Sequence, residues 1–266
     1  MIKNAEDNHY QNSAISHGAP YIHFSLYPDK IVVSNNEDGF TVENIQAICK
    51  IAGSTKTRTD SLSYIGEEGI GFKSVFMVAS KAHIQSGPFT FFFEHPSSRD
   101  ASGMGMVSPV WYNYDARAKH SGTKITLNLR NDVNRSELEN QLFTDLPDTL
   151  LLFLKKLQRI SIDKYDVSGL LLRHTEYTCD RADVNRKVTL TKSTLTRGSS
   201  PLKTVTRYFT TTKKLSMLPS DNQKTFNTAE LVLAFPVQEG DVAPRIASKH
   251  DIYSYLSIRN SGFPVG

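Results

Sequence analysis

The stretch SYIGEEGIGFKSVF, Ser63 to Phe76, constrains this chain more than any other. Gly66, Gly69 and Gly71 come just before Lys73 and Ser74. Glycines so spaced let backbone amides approach a ligand with no Cβ in the way. A helix is expected over FKSVFMVA, and its free N–H groups and positive dipole end then point at the loop. That is an anion site, and polyphosphate is the anion that fits best. Neither familiar phosphate fingerprint matches. A Walker loop needs G-x-x-x-x-G-K-[ST], and Phe72 intrudes between Gly71 and Lys73. A dinucleotide turn needs G-x-G-x-x-G after a buried strand; here the order is G-x-x-G-x-G and a polar loop precedes it. Taken alone, the stretch also reads as a tight turn packing a helix onto a sheet.

Composition narrows the class. The chain has 266 residues, 39% hydrophobic, enough for a sizeable core in one large domain or one and a half. No apolar run approaches the roughly 20 residues of a membrane span. The start, MIKNAEDNHY, is polar and acidic, unlike a signal or transit peptide. Cys49 and Cys179 lie far apart, and C-x-x-C, H-x-x-x-H and G-x-S-x-G are absent. This argues against a disulfide framework, zinc chemistry and serine-hydrolase chemistry, and an intracellular protein is expected, nuclear or cytoplasmic. Between Arg181 and Lys214 nine Lys/Arg stand against one acid, Asp183. The plain reading is the solvated face of a twisted hairpin; the alternative is a contact for nucleic acid or a protein partner.

Residues 1–165 read as mixed α/β. A helix is expected over 2–14, and a hairpin around Pro28-Asp29 in YIHFSLYPDKIVVSN. Another helix is expected over TVENIQAICKIA with Thr41 as its N-cap. GSTKTRTDSLS is a loop, HIQSGPFTFFFEHP a strand–turn–strand, GTKITLNL a strand, and SELENQLFTDLPDTLLLFLKKL one or two helices broken at Pro147. QRISID closes the unit as a strand. From 166 onward KVTLTKSTLT, LKTVTRYFTTT and TAELVLAFPV alternate as Thr- and Val-rich strands.

Three further pieces carry chemistry. Asn4 and Asn8 are i and i+4 on the expected first helix, with Asp7 beside them, and an amide oxygen is a hard ligand suited to Mg²⁺. In IVVSNNEDGFT a strand ends in a polar turn containing Gly39. Asn35 or Asn36 there is placed to accept a hydrogen bond from an exocyclic amine such as adenine's. In HSGTKITL, Gly122-Thr123 offers a small hydroxyl at a strand start. Each alone is ordinary turn or helix chemistry; their order along the chain is not.

The ordered set resembles the GHKL (Bergerat-fold) ATPases, which include gyrase, the ninety-kilodalton heat-shock chaperone and histidine kinases. In wording it is most similar to their NO VEIN-like and sacsin-like branch, through NAEDN, NNEDGFTVENIQAIC, GSTK, YIGEEGIGFKSVF and YSYLSIRNSGF. The resemblance implies an α+β two-layer sandwich, a mixed sheet backed by helices, over 1–165. A β-rich, transducer-like segment, incomplete, follows over 166–266. It implies ATP and Mg²⁺, with Asn4 as the metal ligand. Gly66, Gly69, Gly71 and Phe72 supply phosphate-facing amides, with Lys73 secondary. Ser54, Thr55 and Lys56 stand at the first turn of a lid, and Thr123 approaches adenine. Asn35 occupies the position of the family's adenine-reading Asp. The family's general base is a Glu four residues before the first Asn, outside this sequence. Glu6 is no substitute, being about 200° around a helix from Asn4. Hydrolysis is therefore expected to be impaired and ATP binding weak or absent, and no catalytic residue is assigned. Arg259 in LSIRNSG is a candidate γ-phosphate sensor, and the second segment a candidate surface for a protein partner or self-association. The alternative function is a non-catalytic interaction module built on 181–214.

Overall fold

The computed structural model describes residues 1–11, 18–49, 70–95, 108–111, 122–181, 187–216, 228–237, 251–254 and 256–260. Two compact units divide the chain: residues 1–138 with 163–172, and residues 139–162 with 173–266.

In the first unit, strands β1 (Tyr21–Leu26) and β2 (Lys30–Asn35) bury every second side chain. This is the period of a sheet with one covered face. The turn at Pro28-Asp29 joins them, closed by the Tyr27 N–H donating to the Lys30 carbonyl at 2.8 Å. Strands β3 (Ala79–Ser86), β4 (Phe89–Glu94), β5 (Val110–Trp111) and β6 (Thr123–Leu129) pair antiparallel, β6 lying between β2 and β3. The register sorts the covered face into rows. One runs Phe24–Val33–Ile125–Ile84–Phe91, and the next Leu26–Ile31–Leu127–Ala82–Phe93. These side chains are all buried, each Phe, Ile, Leu or Val worth roughly 1.5–3 kcal/mol. The third row runs Ile22–Asn35–Thr123–Ser86. It is just as buried, yet three of its four members are polar.

Four short helices begin in this unit. The first, α1, spans Ile2–Asp7. Helix α2 (Val42–Cys49) starts as expected at Thr41. The Thr41 hydroxyl accepts from the Asn44 N–H, and the Asn44 side-chain oxygen accepts from the Thr41 N–H at 2.8 Å. This is a capping box with Asn in the third helical position. Helix α3 (Ile70–Lys73) is one turn, continued by a 3₁₀ turn over Ser74–Met77. Helix α4 (Arg135–Phe143) is capped by Asn134, whose side-chain oxygen accepts from the Glu137 N–H.

The second unit packs the Leu-rich α5 (Leu150–Phe153) and its flanks with β7 (Arg159–Tyr165), β8 (Leu171–Asp180) and β9 (Lys187–Thr196). Its core holds Leu150, Leu151, Leu154, Leu157, Ile160, Tyr177, Cys179 and Leu190. Strands β10 (Leu202–Ser216) and β11 (Thr228–Val237) extend the antiparallel run from β9. A separate hairpin pairs β12 (Asp251–Ser254) with β13 (Leu256–Asn260). Arg259 falls in β13, and its side chain lies outside the described residues.

The expected helix-backed α+β sandwich is overturned. Eleven strands form one hydrogen-bonded sheet, in the order β11-β10-β9-β8-β7-β1-β2-β6-β3-β4-β5. The helices named above have only four to nine residues, too short for a backing layer. One local cause is visible. The helix expected over 2–14 stops at Asp7 because Asn8 turns extended and the following segment pairs instead, the Asp38 N–H donating to the His9 carbonyl at 2.8 Å. The Thr- and Val-rich second half continues as strands, as expected, the conformation β-branched residues fit best.

Candidate functional site

Two polar members of the third row, Asn35 and Thr123, line a cavity of about 380 Å³ in the first unit. That volume falls in the range of small-molecule sites. Its apolar walls are Ile22, Val33 and Ile125 from the sheet, Ala47 and Ile48 from α2, and Phe72 from α3. Its polar lining includes Lys3, Asn4, Asp7 and Asn8 around α1, Asn44 from α2, Asn35 and Thr123 from the third row, and Glu37 from the turn after β2.

The strand register explains why Asn35 and Thr123 meet. They are direct partners across β2 and β6. Gly122 allows the approach: its φ is +96°, and a Cβ there would lie 2.1 Å from the Asn35 carbonyl oxygen. Gly39, at φ +92°, turns the chain so that the Phe40 N–H donates to the Ser86 hydroxyl at 2.7 Å. Ser86 in turn pairs with the Thr123 hydroxyl. The Glu37 carboxylate takes hydrogen bonds from the Thr123 hydroxyl and the Asn8 side chain. An ionised carboxylate can only accept, so with Thr123 giving its proton to Glu37, Ser86 donates to Thr123.

Glu37 is 4% exposed, and its Oε1 has no hydrogen-bond partner. Burial pushes its carboxyl up to about 7, and neighbouring Asp38 adds to the rise; the bonds from Thr123 and Asn8 oppose it. Tyr10, which donates to the Ala5 carbonyl at 2.7 Å, is driven upward by burial, with the charges of Glu37, Glu6 and Asp38 adding to it.

Of the residues singled out from sequence, Asn4, Asp7, Asn8, Asn35, Phe72 and Thr123 line this cavity. Asn8 does so as the extended residue that ends α1, not from a second helical turn. The Asn35 side-chain oxygen accepts from the Glu37 N–H at 3.4 Å, an Asx-type turn. Asn36 is committed to the fold: its oxygen accepts from the Tyr21 N–H at 2.9 Å and its amide donates to the Ala19 carbonyl. Gly39 shapes the turn and packs against Gly87. Gly71 is in α3, where a single turn carries little macrodipole. The Lys73 ammonium lies over the Phe93 ring, 5.3 Å from its centre. Ser54, Thr55, Lys56, Gly66 and Gly69 lie outside the described residues.

Sequence reasoning passed over Glu37, and no local alternation marks it: β2 ends at Asn35, and Asn36, out of phase with the strand, is buried as Glu37 is. In the basic 181–214 stretch, Arg181 donates to the carbonyls of Leu151, Leu154 and Leu157, and Lys192 pairs with Asp148 at 2.7 Å. Those two cations serve the fold. Among the described residues, no group of three or more His, Cys, Asp and Glu is placed to hold a metal, and no helix is long and apolar enough to cross a membrane.

No family model matches the chain. It is similar to Protein NO VEIN of Arabidopsis thaliana, 38% identical over 174 residues. The match covers 60% of this chain and only 6% of the length of that protein.

Proposed function

We propose that the cavity binds a purine nucleotide, ATP with Mg²⁺, as the resemblance to GHKL ATPases implies. The observation that supports this reading best is a meeting of residues remote in sequence. Asn4 and Asn8, Asn35, Phe72 and Thr123 were each picked out for nucleotide chemistry, and all line one cavity of nucleotide-compatible volume. The apolar walls suit the faces of a purine, and the polar row suits its edge. Asn4 contributes an amide oxygen for Mg²⁺, which usually keeps several waters and binds through few protein ligands plus phosphate oxygens. Bound there, the ion would neutralise phosphate charge. Asp7 and Asn8, on the same lining, would orient water or ligand around it.

The test is thermal unfolding of the chain with and without Mg·ATP. A ligand at about a hundredfold its dissociation constant stabilises the native state by about 2.7 kcal/mol, which raises the midpoint. Asn4→Ala should weaken the Mg²⁺-dependent part of the shift. A midpoint unmoved by saturating Mg·ATP, in the wild type and in Asn4→Ala alike, sinks the proposal.

A further inference from the structure

In the second unit, β10 and β11 pair from Arg207 and Val237 to Ser216 and Thr228. Direct partners share a face, so Phe209, Leu231, Leu233, Phe235 and Val237 form one apolar row. Leu231 and Leu233 are 42% and 41% exposed, and the other three are half-buried. The opposite face differs in kind, with Thr206, Thr210 and Thr212 of β10 beside Ala234 and Pro236 of β11. Charge follows the same division. Lys213 lies across from Leu231 and Arg207 across from Val237, so a cation stands at each end of the apolar row. Lys203 continues that side of β10. The one acid of the two strands, Glu230, lies opposite Lys214 on the other face. A contiguous exposed apolar patch with a charged rim marks a contact surface.

We propose that this face docks an acidic amphipathic helix of a protein partner. The helix lays its apolar stripe along the row from Leu231 to Val237, and its flanking carboxylates meet the cations at the row's ends. The inference is independent of the nucleotide reading. The row is about 20 Å long, which about 13 helical residues span, and a two-stranded ribbon is about as wide as one helix. Charge decides the partner's sign, since every charged side chain on this face of β10 and β11 is a cation. A second copy of the same face would set those cations against each other. Nucleic acid would suit the cations but leave the leucines and valine unmatched, because it docks by stacking bases on aromatic rings. An added strand suits the edge less well. β11 ends the order of the sheet, but Pro236 within it has no N–H to donate.

The experiment titrates the whole chain against three labelled probes by fluorescence anisotropy. The first is a peptide of about 18 residues, long enough to form a helix, with leucines at i, i+3, i+4 and i+7 and glutamates elsewhere. The second keeps the leucines and replaces every glutamate with lysine. The third is single-stranded poly-dT. The expected result is that the glutamate peptide binds at least about tenfold more tightly than the lysine peptide, by a margin that shrinks in salt. Leu233→Asp should weaken it about tenfold or more, and Lys213→Glu should narrow the preference between the peptides. The comparison of the two peptides needs no variant, and urea midpoints show that each variant folds. Equal binding of the two peptides, binding of neither, or a folded Leu233→Asp that binds as the wild type does overturns the proposal. Tighter binding of poly-dT than of the glutamate peptide overturns it in favour of nucleic acid. A dimer in sedimentation that Leu233→Asp dissolves overturns it in favour of a second copy.

Discussion

The sheet's first-unit strands and the strands β9 to β11 of the second unit use the same backbone pattern for opposite ends. In β1, β2 and β6 strict alternation buries one face completely, with Ile, Val, Leu and Phe meeting in register. In β9 and β10 the alternation is of Thr with Lys, Val and Leu, and the middle and end of β9 and most of β10 stay half-buried or exposed. Leu195, Leu202, Leu231 and Leu233 are exposed there. Period-2 patterning thus makes a strand in both places, but only large apolar residues in register make a core. A site follows the same rule, because a polar row becomes special only when it is buried beside apolar rows.

The comparison can be broken most forcefully in the core. Phe93→Ala, in the first unit's second row, should cost about 3–5 kcal/mol in urea unfolding. Leu231→Ala, on β11, should change stability by no more than about 0.5 kcal/mol. Similar losses at the two sites would erase the distinction.

Glu37 gives the next largest effect, and its sign is fixed. The folded carboxyl titrates at about 7 against an ordinary value of 4.5. Between those values the folded state binds the proton more tightly than the unfolded chain. Stability therefore falls as pH rises through that window and levels off above it, by about 3 kcal/mol in order of magnitude. Glu37→Gln should flatten this slope in urea midpoints collected across the window; an unchanged slope would show that another group carries it.

Gly122→Ala should cost about 1–3 kcal/mol from its positive φ alone, and more if the Asn35 carbonyl must retreat from the new Cβ. Its mark would be lost ligand affinity out of proportion to lost stability, because the damage lies at the Asn35–Thr123 pair. The smallest effect belongs to Asp148→Asn. It removes the partly exposed Lys192 pair and should cost at most about 1 kcal/mol, less in high salt.

Local chemistry was legible in the sequence, and long-range arrangement was not. The Thr41 cap, the turn at Pro28-Asp29, the strand over GTKITLNL and the helix break around Pro147 each depend on a few adjacent residues, and all are present. The failed layer expectation came from the family resemblance, and the local pattern says little about where each helix stops. At α1 the stop is a backbone bond between His9 and Asp38, which no local pattern displays. Glu37 was missed for the same reason. As a letter in NNEDGF it is an ordinary turn acid; its burial depends on β6 arriving beside β2 with Thr123 in register.

Helix α1 has six residues, too few to persist in water by itself. It is held by the Tyr10 hydroxyl on the Ala5 carbonyl and by the Asp38 amide on the His9 carbonyl. That makes one wall of the cavity and the turn after β2 a single opening unit in hydrogen exchange. The Asp38 amide proton should exchange by local opening of this tie and not by global unfolding. A ligand bridging Asn4 and Glu37 would slow that one proton before it changes any other, giving an unlabelled reporter of occupancy inside the chain itself.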